Sequence, residues 1–269
     1  MSGEDMTGAP MAGAWTALVL AAGRPNDPLA LAEGVSNKTL IDICGKPVLQ
    51  RVIDALDAAP SVGRIVTAIE DATLLDGISP RPEAARAADS VVGTVTSGLE
   101  QLGPPLLIVT GDHGLLTVDM VEEFLSGALE KGASASVGLA SEQVIKAAYP
   151  DVRRTYLKFA EGGFSGCNLF ALARPDAADA LGFWQEIDRN RKNPLKLIRS
   201  VDIKAVALYA MGKLGLDDAM VRLSRKLGVP VAAVQMSQAE AAIDVDKPDD
   251  LILVRKIIEA RQPLSLTGE

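Results

Sequence analysis

Short apolar runs that stop at glycine, proline or aspartate alternate along this chain with longer stretches of helical periodicity. The first run, TALVLAA over residues 16–22, ends at Gly23 and predicts a strand buried on both faces of a parallel sheet. The following segment, RPNDPLALAEGVSN, reads as a loop and delivers the chain to Lys38 and the TLIDI segment. A turn at Gly45, Lys46 and Pro47 opens a helix in which Val48, Leu49, Val52, Ile53 and Leu56 recur at helical spacing. Residues 64–69 predict the next strand; a loop rich in Pro, Asp and Ala follows, then a helix over 94–102. The run LLIVT at 106–110 predicts the central strand, cut off by Gly111 and Asp112. A helix over 118–131 and a strand over 133–139 continue the alternation. This order implies an α/β fold, a three-layer α/β/α doubly wound and mostly parallel sheet.

The second half is less regular. Residues 154–159 and 168–172 predict strands on either side of the turn EGGFSGC, a β-hairpin insertion on the sheet. Helices are expected over 177–189, 194–201, 203–211 and 216–227, then a strand over 229–235 and a last helix to about residue 261. The expected organisation is a single domain over 15–261, with flexible tails at 1–14 and 262–269. The opening residues lack the basic and apolar regions of a signal peptide, so they are read as the tail of a cytoplasmic protein.

Composition changes the picture mainly by exclusion. A hydrophobic fraction of 48% with only 4% aromatics implies a core of Ala, Val, Leu and Ile. The net charge of -8 argues against a nucleic-acid or anionic-membrane partner. No run approaches the roughly 18 apolar residues of a membrane-spanning helix. An anionic substrate therefore requires a locally basic pocket. Cys44 and Cys167 lie far apart without CxxC spacing, so they read as small core or site-lining residues.

Ligands of open α/β sheets bind beyond the carboxyl ends of the strands, and three polar signals fall there. They are the loop from Gly23 to Lys38, Asp112, and Asp244 with Asp246 ahead of Pro248. The loop offers backbone N–H groups and a lysine to a phosphate. Attack of a phosphate on the α-phosphorus of a nucleoside triphosphate gathers negative charge, which cations relieve better than a proton shuttle does. Mg²⁺ prefers one or two carboxylates plus substrate oxygens and water, which Asp112 with Asp246 or Asp244 would provide. His113, beside Asp112, reads as a residue shaping the loop, because a phosphate nucleophile is already ionised and needs no base.

The strings LVLAAG, NKTLIDICGKPVLQRVIDAL, VTGDHGLLTVDMVEEFL, GCNLFAL and AIDVDKPDDL, in this order over residues 16–258, resemble the nucleotidyltransferase superfamily. That superfamily includes molybdenum-cofactor guanylyl- and cytidylyltransferases, methylerythritol-phosphate cytidylyltransferase and sugar-1-phosphate nucleotidyltransferases. The resemblance implies joining of NMP from an NTP (CTP, GTP or UTP) to a phosphorylated small molecule, with Mg²⁺ as cofactor. Leu20, Ala21, Ala22, Gly23 and Gly111 would lie against the nucleotide and Lys38 would contact its phosphates. Asp112 would be the principal metal ligand, with Asp246, or else Asp244, as the second. Family members usually follow LAAG with another glycine and then an arginine that grips the triphosphate, whereas this chain reads GRPNDPLA. Either Arg24 takes over that role or catalysis is weakened or altered.

Base recognition would fall on Thr94, Ser97 and Gly98, whose other reading is a helix N-terminus with small packing residues. Arg153, Arg154 and Lys158 form a basic cluster, and alternation would put Arg154, Tyr156 and Lys158 on one strand face to hold the acceptor phosphate. A charged, solvated strand edge is the competing explanation. Asn168 is carried over as an acceptor-side residue. Arg191, Lys192, Lys196 and Arg199 read as helix surface. A pterin phosphate is placed ahead of a sugar or polyol phosphate as acceptor, and the protein is expected to be a monomer or homodimer. The alternative is a non-catalytic nucleotide-binding or regulatory protein that keeps the fold.

Overall fold

The computed structural model describes residues 13–190, 199 and 203–261. The tails expected at 1–14 and 262–269 therefore fall almost wholly outside the described residues, as do most of the helix expected over 194–201 and Arg191, Lys192 and Lys196. Arg199 is described, and is exposed at a helical position.

The strands are β1 (Trp15–Leu20), β2 (Asp42–Ile43), β3 (Lys46–Pro47), β4 (Val62–Ile69), β5 (Glu83–Arg86), β6 (Leu106–Thr110), β7 (Ala135–Ser141), β8 (Leu157–Phe159), β9 (Gly162–Leu172) and β10 (Val231–Met236). The helices are α1 (Pro28–Ala32), α2 (Val48–Asp57), α3 (Val91–Leu102), α4 (Val118–Lys131), α5 (Glu142–Ala148), α6 (Ala178–Asn190), α7 (Ile203–Ala210), α8 (Leu216–Leu227) and α9 (Pro248–Arg261). The main sheet runs β10-β7-β9-β6-β1-β4-β5, with β8 paired to β9, while β2 and β3 form a separate small ribbon. Its paths are parallel except at β9, which runs antiparallel between β6 and β7. The carboxyl ends of β1, β4, β6, β7 and β10 thus share one edge.

The uninterrupted apolar character of β1 and β6 has a direct cause. Ala17, Val19, Leu107 and Val109 pack with α2 and α4 on one face, against Leu49, Val52, Ile53, Met120, Val121 and Phe124. Leu18, Leu106 and Ile108 pack with Val92, Val95, Leu99 and Leu181 on the other. Alternate side chains point to opposite faces, so a strand covered on both sides must be apolar throughout. A third cluster packs α9 on Ile41, Ile43, Val48 and Leu115, which brings the chain around residues 244–246 back to the edge that ends β6.

α3 lies so close to β1 that a Cβ on Gly98 would stand 2.5 Å from Leu18 Cδ2. A glycine in a helix interior costs about 1 kcal/mol against alanine, and close approach is what it gains here. Gly98→Val is expected to lower unfolding stability by roughly 1–3 kcal/mol through overpacking, measured by denaturant titration. Unchanged stability would show that the helix has room to move.

The hairpin expected near 154–172 exists as β8 and β9, but its second strand is internal to the sheet and longer than expected. The glycine-rich stretch read as a turn is itself strand, pairing with β8 on one side and β7 on the other. The register between β7 and β9 shifts where Val137 and Leu139 meet Phe170 and Gly166. Asn168 stands in this bulge with φ 53°, a conformation that asparagine tolerates better than most residues. The first strand of the hairpin begins only at Leu157, because Arg154 is drawn to acids on another segment. β5, within the stretch read as a loop, and α5, where no element was expected, are further differences. β5 is an edge strand of sequence EAAR held by parallel pairing to β4, and α5 is a short helix capped by the Ser141 side chain.

Candidate functional site

The end of β1 is pinned from three sides. Ala21 N donates to Ala68 O at 2.9 Å and Gly111 N to Leu20 O at 2.8 Å. Asn37, only 1% exposed, donates to Ala21 O at 2.8 Å and to Glu70 Oε1 at 2.9 Å. Its own Oδ1 caps the short 3₁₀ turn Lys38–Leu40 by accepting from Thr39 N and Thr39 Oγ1. All the hydrogen-bonding groups of a buried side chain are thereby engaged, and they fix the point from which Lys38 departs. Gly23 N donates to Glu70 Oε2 at 2.9 Å, so one carboxylate spans the glycine loop and Asn37. Gly111 leaves no room beside Ala21, since an added Cβ would come within 3.0 Å of its Cβ.

Lys38 is the hub. Its Nζ donates to Asp112 Oδ2 at 2.7 Å and to Asp246 Oδ1 at 2.6 Å. Burial alone would lower the lysine pKa, but Asp112, and after it Asp246, more than compensate and hold it above the ordinary lysine value. The two acids come from segments joined by backbone: Val245 N donates to Asp112 O at 3.0 Å. Asp112 Oδ1 is buried and has no hydrogen-bond partner, as are the flanking Thr110 hydroxyl and His113 Nδ1. Three residues singled out in sequence are therefore one cluster.

Asp244 faces elsewhere. It accepts from Arg154 Nη1 at 2.6 Å and from Asn168 Nδ2 at 2.9 Å, while Arg154 Nη2 lies 3.4 Å from Asp250 Oδ1. Both oxygens of Asp244 are occupied, so of the two late acids Asp246 is the one grouped with Asp112. The expectation that Arg154, Tyr156 and Lys158 share one strand face is corrected in its strand, which begins only at Leu157, although Lys158 Nζ lies 5.2 Å from the Tyr156 ring centre. Arg154 is turned to Asp244, whereas Lys158 pairs with Glu142. Thr94 and Gly98 are also corrected. The Thr94 hydroxyl accepts from Ala88 N and donates to Ser90 O, fixing the first turn of α3, and Gly98 is taken up by Leu18. Ser97 is half-buried on the same helix, and Arg24 is exposed on the loop outside the Lys38 cluster.

His113 is 1% exposed, with Nε2 3.3 Å from Glu240 O. Burial holds its pKa below the ordinary histidine value despite the nearby Asp244 and Asp112. Glu240 is in turn gripped by Tyr149 and Arg261, so the histidine braces the 239–242 turn that leads to Asp244 and Asp246. His113→Gln, which keeps a donor, is expected to leave turnover within a few-fold of wild type. His113→Ala is expected to cost about 1–3 kcal/mol of stability by leaving the carbonyl unpaired. A large loss of turnover in the folded glutamine variant would instead make the imidazole a participant.

Asn37 and Glu70 were missed in sequence. An Asn in front of an apolar turn is an N-cap signal that could have found the first; an exposed Glu at a strand end carries no such signal.

Among the described residues no helix is long and apolar enough to cross a membrane, and no group of three or more His, Cys, Asp and Glu residues is placed to hold a metal. No curated protein sequence matches the chain significantly. Among solved structures, a hypothetical transferase from Thermus thermophilus is 29% identical with a TM-score of 0.73, over 88% of this chain and 98% of that one. CMP:2-keto-3-deoxy-manno-octonic acid synthetase complexed with CTP is 15% identical with a TM-score of 0.59, over 92% and 99%. 4-Diphosphocytidyl-2C-methyl-D-erythritol synthase from Anaerococcus prevotii is 12% identical with a TM-score of 0.54, over 94% and 97%. At such identities the last two establish the shared fold alone. The model of the MobA-like NTP transferase domain matches residues 17–225, and the chain belongs to that family.

Proposed function

We propose that this protein is a Mg²⁺-dependent nucleotidyltransferase that joins NMP from CTP, GTP or UTP to a phosphorylated small molecule and releases pyrophosphate. The observation that carries this reading is the cluster in which one lysine ammonium bridges Asp112 and Asp246 at the carboxyl edge of the sheet. The family supports it, as does the structural similarity to CMP:2-keto-3-deoxy-manno-octonic acid synthetase complexed with CTP.

The donor set fits the metal. Two carboxylates, one with a buried oxygen lacking any partner, match the few hard oxygen ligands that Mg²⁺ takes from protein before substrate oxygens and water complete the shell. Mg²⁺ held by Asp112 and Asp246 supplies charge neutralisation to the triphosphate. The remaining work falls to the chain. Lys38 stays protonated across the physiological range and faces the phosphates. Glu70, an acceptor beside Gly23, repels phosphate and favours the hydroxyl and amino donors of the nucleoside end. This sorting of charge orients the nucleotide with its triphosphate towards Lys38. An acceptor phosphate oxygen then bonds to the α-phosphorus as the bond to the β-phosphate bridging oxygen breaks. No side-chain base is required, in keeping with the enclosed, neutral His113.

The test is pyrophosphate release by the purified chain, with each NTP against a panel of pterin, sugar and polyol phosphates. Release should require both an acceptor and Mg²⁺ and stop on chelation. Acceptor-independent release, or none across the panel despite tight NTP binding, would count against transfer.

A further inference from the structure

Lys38 has two uses that it cannot serve at once. Its ammonium lies 2.7 Å from Asp112 Oδ2 and 2.6 Å from Asp246 Oδ1. Those carboxylates suit a divalent cation, while the lysine itself suits the phosphates of a nucleotide. A cation joined to the same two oxygens, at the roughly 2.0–2.1 Å that Mg²⁺ requires, would have to stand where Nζ stands. The other oxygen of Asp112, Oδ1, is buried and offers a cation from solvent no open approach. Metal and ammonium therefore exclude each other between Asp112 and Asp246.

The side chain of Lys38 can leave, but its backbone cannot. Asn37, only 1% exposed, caps the 3₁₀ turn Lys38–Leu40 and fixes the point from which the side chain starts. Beyond that point runs an unbranched, flexible stem. Asp246 is the more open of the two acids, with 54% of its side chain exposed against 16% for Asp112, so the way out for the ammonium lies on the Asp246 side. Giving up two charge-assisted hydrogen bonds requires other anionic oxygens in exchange, and a triphosphate supplies them. Charge leads to the same order. Lysine and a divalent cation together would set three positive charges against two carboxylates, an excess that a polyphosphate removes.

We propose that Lys38 holds the metal site closed until a nucleotide arrives: the triphosphate draws the ammonium off Asp112 and Asp246, and the divalent cation takes its place between them. This exchange rests on the reading of Asp112 and Asp246 as the metal pair. Nucleotide and metal then bind cooperatively, since each favours the arrangement that the other needs.

The probe is Mn²⁺ alone, titrated into the full chain without nucleotide and followed by loss of the free-ion paramagnetic resonance signal. Lys38→Met should bind Mn²⁺ at least about tenfold more tightly than the wild type, although the same substitution lowers turnover. Lys38→Gln, which keeps a donor but not the charge, should show a gain of the same sign and replaces the methionine variant if that one does not fold. Lys146→Met removes an exposed lysine outside the cluster and should change the affinity less than about twofold, which separates exchange from a general loss of positive charge. Adding Asp112→Asn to Lys38→Met should abolish the gain. Wild-type binding as tight as that of the Lys38 variants, or a gain that survives the added Asp112→Asn, would overturn the exchange. If the gain is missing while NTP-supported Mn²⁺ binding still needs Asp112, the exchange alone fails; if neither needs Asp112, the metal reading fails with it.

Discussion

Replacing Asp112 by alanine is expected to reduce Mg²⁺-dependent pyrophosphate release by about 10³-fold or more, with the protein still folded. The side chain is only 16% exposed, contributes one oxygen to Lys38, and keeps a second, buried oxygen without a partner. Alanine removes both. The Lys38 ammonium still has Asp246, so the loop should hold its place while the oxygens offered to a divalent cation are halved. Asp112→Asn is the sharper variant. It preserves shape but exchanges a charge for an amide that can no longer serve as an anionic ligand, and most of the activity should again be lost. Turnover and melting temperature measured together separate this from misfolding. Near-normal turnover in either folded variant would remove Asp112 from the reaction.

Lys38→Met is expected to lower kcat/KM for the nucleotide by about 10²–10³-fold, because a positioned cation facing the triphosphate is lost. It should also lower stability by roughly 1–3 kcal/mol, since the ammonium between the two carboxylates is lost; the half-exposed Asp246 keeps that figure modest. The pH dependence has a definite sign. With the folded lysine pKa raised above the ordinary lysine value of 10.5, its stabilising contribution is complete below that pH and is lost only as pH climbs through the higher folded value. Wild-type activity should therefore show no alkaline limb from Lys38 between pH 7 and about 10. A stability difference between wild type and Lys38→Met that collapsed near neutral pH would contradict the ion-pair geometry.

The parts of the fold legible in sequence are those that burial dictates. β6 and α4 have the bounds their hydrophobic pattern marks, because both are packed on apolar neighbours over their whole length. β5 left no pattern. Its residues EAAR are mostly exposed, and it is strand only because β4 offers a free edge. Likewise a glycine-rich segment reads as a turn until β7 and β8 are seen on either side of it.

The site divides in the same way. Lys38, Asp112 and Asp246 were recoverable because strand ends mark the edge where ligands bind. The Arg154 pairing was not, because its partner Asp244 lies 90 residues away and the bulge at Asn168 that completes the contact depends on register. Local alternation put Arg154 and Lys158 on one strand; their actual ion pairs, to Asp244 and to Glu142, depend on other segments.

The central claim is that Asp112 and Asp246 hold a divalent cation together with a nucleotide bound at Lys38. Electron paramagnetic resonance of Mn²⁺, used in place of Mg²⁺, tests it directly. In the presence of an NTP, the wild type should give a protein-bound Mn²⁺ spectrum that Asp112→Ala loses at equal nucleotide occupancy. Identical spectra from wild type and variant, with the nucleotide bound in both, would contradict it.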